Sequence, residues 1–184
     1  MPVFPLPFYP TQPYDQPPLS FGSSRGGGKQ AHAACDLAAP AGTAVLSVAD
    51  GVVVQALSGI FYADPASGGK PVANTYDMIV RYPWGLVRYG EIDIKTPQGI
   101  VKGTAVTEGQ QIASVAAQNT GTELHFELYG NPEDLSPLTV MGNMNYLYVP
   151  SANYHRRKDL QDPAWFLYGC LLANSSLYNY MQTL

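Results

Sequence analysis

Short β-type apolar runs, separated by glycine, proline and asparagine, dominate the chain from about residue 44 to 128. The best of them predict strands over residues 45–48, 51–56, 78–82, 86–92 and 123–129. Asp50-Gly51 is a tight-turn signal between the first two. Residues 106–115 predict a further strand pair that turns at Glu108-Gly109, and the glycines and prolines of 59–74 predict a loop or long hairpin. In the last strand the alternation places Leu124, Phe126 and Leu128 on one face and Glu123, His125 and Glu127 on the other. The apolar face is core, so the polar face presents an imidazole flanked by carboxylates.

The two ends differ from this middle. Seven of the sixteen prolines fall within the first eighteen residues, interleaved with Phe4, Phe8, Tyr9 and Tyr14. Proline fixes φ and removes a donor, so the segment is expected to be extended, an arm whose rings pack on the domain surface. The stretch from Gly22 to Gly28 then breaks regular structure. Near the other end, Asp162 suits an N-cap and Pro163 a first helical position, with apolar residues continuing to Leu177. The expected architecture is mainly β: an antiparallel sheet over 31–149, a Pro/Gly-rich arm over 1–30 and a helical extension over 150–184.

Composition narrows the function classes. At 184 residues, 46% of them hydrophobic, the chain can bury a core, and no apolar run approaches the roughly 18 to 20 residues of a membrane span. A net charge of −4 with one small basic cluster, Arg156-Arg157-Lys158, argues against nucleic acid as a partner. That cluster reads as a solvated loop. Cys35 and Cys170 match no zinc or redox spacing and read as buried thiols, with a single bridge open in an oxidising compartment. The first eighteen residues have no basic start and no continuous apolar segment, so no secretory signal is expected.

Two stretches carry chemistry. The first is His32-Ala-Ala-Cys-Asp36-Leu-Ala-Ala-Pro40-Ala-Gly42-Thr-Ala-Val45, followed by Ala49-Asp50-Gly51; the second is Glu123-Leu-His125-Phe-Glu127. Two histidines and an aspartate are ordinary zinc ligands, and a catalytic zinc takes three protein ligands and keeps a fourth position open. Spacing alone also allows a structural histidine. His32 and Asp36 would share a helix face, but the glycines before them and Pro40 after them favour a strand or loop.

The order H-x-x-x-D, A-P-x-G-T-x-V, A-D-G and a late L-H-F-E strand resembles the lysostaphin/LytM-type metallopeptidases. Val101-Lys-Gly103 through Val106 to Gly109-Gln110 is similar to the family's V-x-x-G-x-x-V-x-x-G-Q element, and the likeness spans residues 21–129. The resemblance implies a Zn2+ cofactor held by His32, Asp36 and His125. It also marks two departures: Glu123 stands where the first His of H-x-H is expected, and Glu91 where the Y-x-H histidine is expected. Glutamate serves as a general base toward water. Glu91 is the preferred base and Glu123 the second candidate; both are also compatible with plain strand positions facing solvent. Glu127 suits an outer-shell role or a polar strand face. Arg88 either anchors a carboxylate or sits on the surface, and His155 reads as a loop residue.

The resemblance thus implies a zinc endopeptidase that cuts peptidoglycan stem peptides or cross-links. Without a signal, a phage lytic enzyme or an antibacterial effector delivered to the periplasm by a non-Sec route fits best. Delivery machinery or an immunity protein would then be partners. The alternatives are a non-catalytic wall-binding or regulatory module and a structural component that uses the fold as a scaffold.

Overall fold

A computed structural model describes residues 2–28, 30–57, 75–93, 95, 97, 99–118, 121–138, 148–149, 152–153 and 156–173. The segment 59–74, His155 and the apolar stretch beyond Ala173 lie outside the described residues. Thirteen strands follow in order: β1 Ser24–Arg25, β2 Gln30–Ala31, β3 Cys35–Ala38, β4 Ala44–Leu46, β5 Gly51–Gln55, β6 Tyr76–Tyr82 and β7 Gly85–Ile92, then β8 Ala105–Val106, β9 Gln111–Ser114, β10 Glu123–Tyr129, β11 Tyr148–Val149, β12 Ala152–Asn153 and β13 Leu160–Gln161. Among the described residues a single α-helix, α1, spans Ala164–Ala173, and one 3-10 turn spans Gly26–Gly28. The expected antiparallel, mainly β architecture is the observed one.

The main sheet runs β13-β10-β7-β6-β5-β8, and β3 also pairs with β10, alongside its Glu123–Phe126 half, while β13 pairs at Leu128 and Tyr129. The alternating apolar residues of the central strands point to one side. There Leu124, Phe126 and Leu128 meet Cys35, Leu37, Met78, Val80, Val87 and Tyr89 in one core. Both cysteines are buried free thiols. Between β6 and β7 the chain reverses through Pro83-Trp84, and Gly85 starts β7 because a Cβ there would lie 2.3 Å from the Tyr129 carbonyl oxygen.

Two expected hairpins do not form. β4 pairs with β9 instead of β5, and β8 pairs with β5 instead of β9. The turns are where the sequence places them, but they dock on each other. Ser47 exchanges backbone hydrogen bonds with Gly109 and Gln110 (2.8 and 2.9 Å), and the Glu108 amide donates to Asp50 Oδ1 at 2.8 Å. With the two corners locked together, each flanking strand finds a partner from the other corner. That exchange buries Val45, Ile112 and Ala113, which a local hairpin would not bring together.

The helix begins as expected, with Asp162 Oδ1 accepting from the Ala164 amide at 2.9 Å. Its Leu167, Cys170 and Leu171 enter the core, and among the described residues no helix is long and apolar enough to cross a membrane. The N-terminal arm also belongs to that core: Phe4, Leu6 and Tyr14 are buried, Tyr9 packs against them, and of the four rings only Phe8 faces out. Tyr14 in turn packs at a tilt against Tyr168 of α1 (5.7 Å between centroids, 48° between ring planes). Burying a large apolar side chain is worth roughly 1.5–3 kcal/mol. Deleting residues 1–18 is therefore expected to lower the thermal midpoint by at least about 10 °C. An unchanged midpoint would mean that the arm is a dispensable tether.

Candidate metal centre

The second face of the sheet is buried as well: Ile79, Leu86 and Tyr129 form a smaller apolar cluster with Leu138 and Leu160, and the rest of the face is polar. Cross-strand register makes a row of Asp36 on β3, His125 on β10, Gly90 on β7 and Asp77 on β6. A neighbouring row places Glu127 beside Arg88. Gly90, the cross-strand neighbour of His125, contributes no side chain to this row. His32 arrives from the coil after β2, held by its amide to the Ser23 carbonyl at 2.8 Å and by its carbonyl to the Gly22 amide at 2.9 Å.

His32, Asp36 and His125, all buried, place one ligand atom each within 4.8 Å of one another. His32 Nε2 lies 3.1 Å from Asp36 Oδ2 and 3.4 Å from His125 Nδ1, and His125 Nδ1 lies 2.9 Å from Asp36 Oδ1. The outer nitrogens are committed elsewhere. His32 Nδ1 donates to the Ser20 carbonyl at 3.0 Å, which only accepts, so its tautomer leaves Nε2 free as a ligand. His125 Nε2 donates to Glu127 Oε1 at 2.9 Å, which turns Nδ1 inward. Two borderline nitrogens and a carboxylate oxygen, each braced from behind, fit zinc.

Glu127 is fully buried and saturated with donors. Besides His125 it receives Arg156 Nε at 2.9 Å and Arg88 Nη1 at 3.4 Å on Oε1, and the Tyr129 hydroxyl on Oε2. Burial alone would raise its pKa, but Arg156 and Arg88 hold the carboxyl well below the usual range. Arg88 is thus no surface residue; its Nε also donates to Asp77 Oδ2 at 2.6 Å. The expected solvated loop at 156–158 is likewise corrected. Arg157 is buried, bonded to Asp159 and set over the Tyr129 ring, because a planar guanidinium can satisfy several acceptors at once.

The two glutamates flank this group. Glu91, only 6% exposed, sits at φ 62° where the β6–β7 register slips by one residue. A non-glycine residue there costs roughly 1–2 kcal/mol, and bulges of this kind re-aim side chains beside active sites. Its Oε2 accepts from Gln118 Nε2 at 3.1 Å. Burial, reinforced by the Asp36 charge and opposed by His125, Gln118 and Arg25, raises its pKa to about 7. Glu123 is half-buried, and burial with the Asp36 and Glu91 charges lifts it to about 8. Neither faces open solvent. A carboxyl titrating near neutrality is suited to move a proton.

A fourth charged group, which sequence reasoning passed over, caps the cluster. Arg25 on β1 donates from Nη2 to Asp36 Oδ2 at 3.1 Å and from Nη1 to the Pro18 carbonyl at 2.7 Å. Its signal was slight: a lone cation in a glycine-rich stretch.

The charges fix a pH dependence. Burial disfavours the His125 imidazolium, but its bonds to Asp36 and Glu127 raise the pKa to about 9. Glu91, Glu123 and His125 therefore hold protons more tightly folded than unfolded. Between the unfolded values, near 4.5 and 6.5, and these raised ones, the unfolded chain binds fewer protons, so stability falls as pH rises. The depressed carboxyls of Asp36 and Glu127 lose their contribution only at pH below the usual carboxylate range. Chelator-treated protein should unfold at lower urea near pH 8.5 than near pH 5.5; the reverse order would contradict these assignments.

Comparison with known proteins agrees with the architecture. Residues 30–137 match the sequence profile described as "Peptidase family M23". The fold is similar to the catalytic domain of the antimicrobial peptidase lysostaphin from Staphylococcus simulans, at 19% identity over 81% of this chain and 89% of that one, with a TM-score of 0.50. It is also similar to cbpa from L. salivarius REN, at 17% identity over 93% and 98%, with a TM-score of 0.53. Helicobacter pylori Csd3 aligns at 21% identity over 99% of this chain with a TM-score of 0.47, and the chain spans 44% of that protein's length. No curated protein sequence matches significantly.

Proposed function

The chain belongs to peptidase family M23, and from that premise we propose that it is a zinc-dependent endopeptidase acting on the peptide part of bacterial peptidoglycan. One observation carries the reading: the inner nitrogens of His32 and His125 converge with the Asp36 carboxylate while their outer nitrogens are braced by Ser20 and Glu127. Zinc held by these three residues would supply Lewis acidity toward the scissile carbonyl and make water a better nucleophile. Glu91 takes the proton from the attacking water and returns it to the leaving amine; burial raises its pKa, and a dication beside it would favour the ionised form that accepts the proton. Glu123, on the His125 face of β10, orients water or substrate.

Digestion of purified peptidoglycan, with mass spectrometry of the fragments with and without chelator, tests this. Chelator-sensitive release of peptide fragments is the expected result, and intact peptidoglycan beside zinc-loaded protein would sink the proposal. Two observations favour a second reading, a non-catalytic wall-binding module. Arg25 already occupies Asp36 Oδ2, and both auxiliary histidine positions hold glutamate. Wall pull-down without hydrolysis would support that module. A phage lytic role or delivery as an antibacterial effector places the same activity at its substrate, and an immunity protein would answer the second.

A further inference from the structure

Arg156 lies nineteen residues beyond the stretch that matches the family, which ends at residue 137. Its guanidinium nevertheless reaches the back of the metal centre. Nε donates to Glu127 Oε1 at 2.9 Å, and the same oxygen accepts from His125 Nε2 at 2.9 Å. Glu127 is therefore shared between a ligand imidazole and a residue of the C-terminal segment.

The segment that carries Arg156 is itself fixed in place. The Arg157 amide donates to the Leu138 carbonyl at 2.9 Å, its Nε bonds Asp159 Oδ1 at 2.6 Å, and its guanidinium lies 5.5 Å over the Tyr129 ring. β13 then pairs with β10 at Leu128 and Tyr129, immediately after Glu127. Arg156 thus approaches from a docked backbone, and its side chain is only 18% exposed.

We propose that Arg156 is a positioning residue for the metal centre, which acts through Glu127 to hold the His125 ring with Nδ1 facing Asp36 and His32. The assignment rests on the zinc reading above and extends the centre to a part of the chain outside the family match. The physical reason is geometric. Glu127 Oε1 can orient the imidazole only if the carboxylate plane is fixed. Arg88 contacts Oε1 at a longer 3.4 Å, so Arg156 provides the closer of the two arginine contacts.

The test is zinc affinity, measured by competition with a chromophoric chelator, in the full chain carrying Arg156→Met, Arg156→Lys or Glu127→Gln. Loss of a group hydrogen-bonded to a ligand typically weakens metal binding by about 10–100-fold, so Glu127→Gln is expected to fall in that range and Arg156→Met, one bond further out, near its lower end of about tenfold. Arg156→Lys restores part of the loss, since it returns a charged donor without the planar fork. In the Glu127→Gln background, adding Arg156→Met changes little, because the residue acts through that carboxylate. The visible spectrum of the cobalt-substituted protein shifts in Arg156→Met, a change that loss of packing alone would not produce. Wild-type zinc affinity and an unaltered cobalt spectrum in Arg156→Met overturn the proposal while leaving the peptidase reading intact. Failure of the wild type to bind zinc removes both. Should Arg156→Met not fold, Arg156→Gln, which keeps an amide donor, carries the same comparison.

Discussion

Replacing His125 by alanine is expected to abolish zinc binding and, with it, the proposed peptide hydrolysis, while the sheet stays folded. The imidazole is the shared point of the centre: Nδ1 faces Asp36 and His32, and Nε2 is tied to Glu127. Removing it takes one of three ligands, so the loss of zinc affinity exceeds the roughly 10–100-fold that follows damage to an outer-shell partner. The fold survives because neither buried carboxylate is orphaned. Asp36 keeps His32 and Arg25, and Glu127 keeps Arg88, Arg156 and Tyr129. Elemental analysis after gel filtration, beside circular dichroism, checks both halves; stoichiometric zinc in the variant would falsify the ligand assignment. In the wild type, the metal must displace the proton that His125 holds up to about pH 9. Zinc affinity should therefore climb by about tenfold per pH unit between roughly 7 and 9.

If Glu91 is the base proposed above, Glu91→Gln is expected to keep zinc affinity and fold but to lower turnover by about 10²-fold or more. Glutamine matches the carboxylate in size and preserves a partner for Gln118, but it cannot accept a proton. The strained φ of 62° at this position is informative, because an ordinary strand residue would relieve it by straightening the bulge. Steady-state kinetics over pH should show the wild type's acidic limb, set by ionisation of Glu91, missing from the variant. A nearby dication favours the ionised form, so that limb falls below the value of about 7 set by burial. Glu123→Gln costs less if it only orients water or substrate. The opposite ranking would exchange the two roles, and full activity in the double variant would exclude both glutamates as base.

Much of this was legible in the sequence. Alternation along 123–129 fixes which residues face the core, because period two is imposed by the pleat and needs no partner. His32, Asp36 and His125 could be singled out from residue type and motif order. The helix start at Asp162-Pro163 follows from local backbone chemistry, and there the structure agrees.

Other features were decided by contacts distant in sequence. Turns at 50–51 and 108–109 are local, but their docking on each other exchanged the strand partners, and no local propensity encodes that choice. A single arginine in a glycine-rich stretch looks the same whether it is solvated or set against Asp36, and the same holds for Arg88, Arg156 and Arg157. Charge placement depends on which carboxylate the fold brings within about 3 Å, since a buried ion pair exists only where both partners are desolvated together. The pKa of Glu91 follows the same rule: the sequence supplies the carboxyl, and burial together with the Asp36 charge supplies the upward shift against the opposing pull of His125. The chain by itself thus determined the strand faces, the candidate ligand types and their order. Tertiary structure alone determined which strands pair, which charges meet and how the ligand rings are braced, because those energies arise only when segments about a hundred residues apart share one buried space.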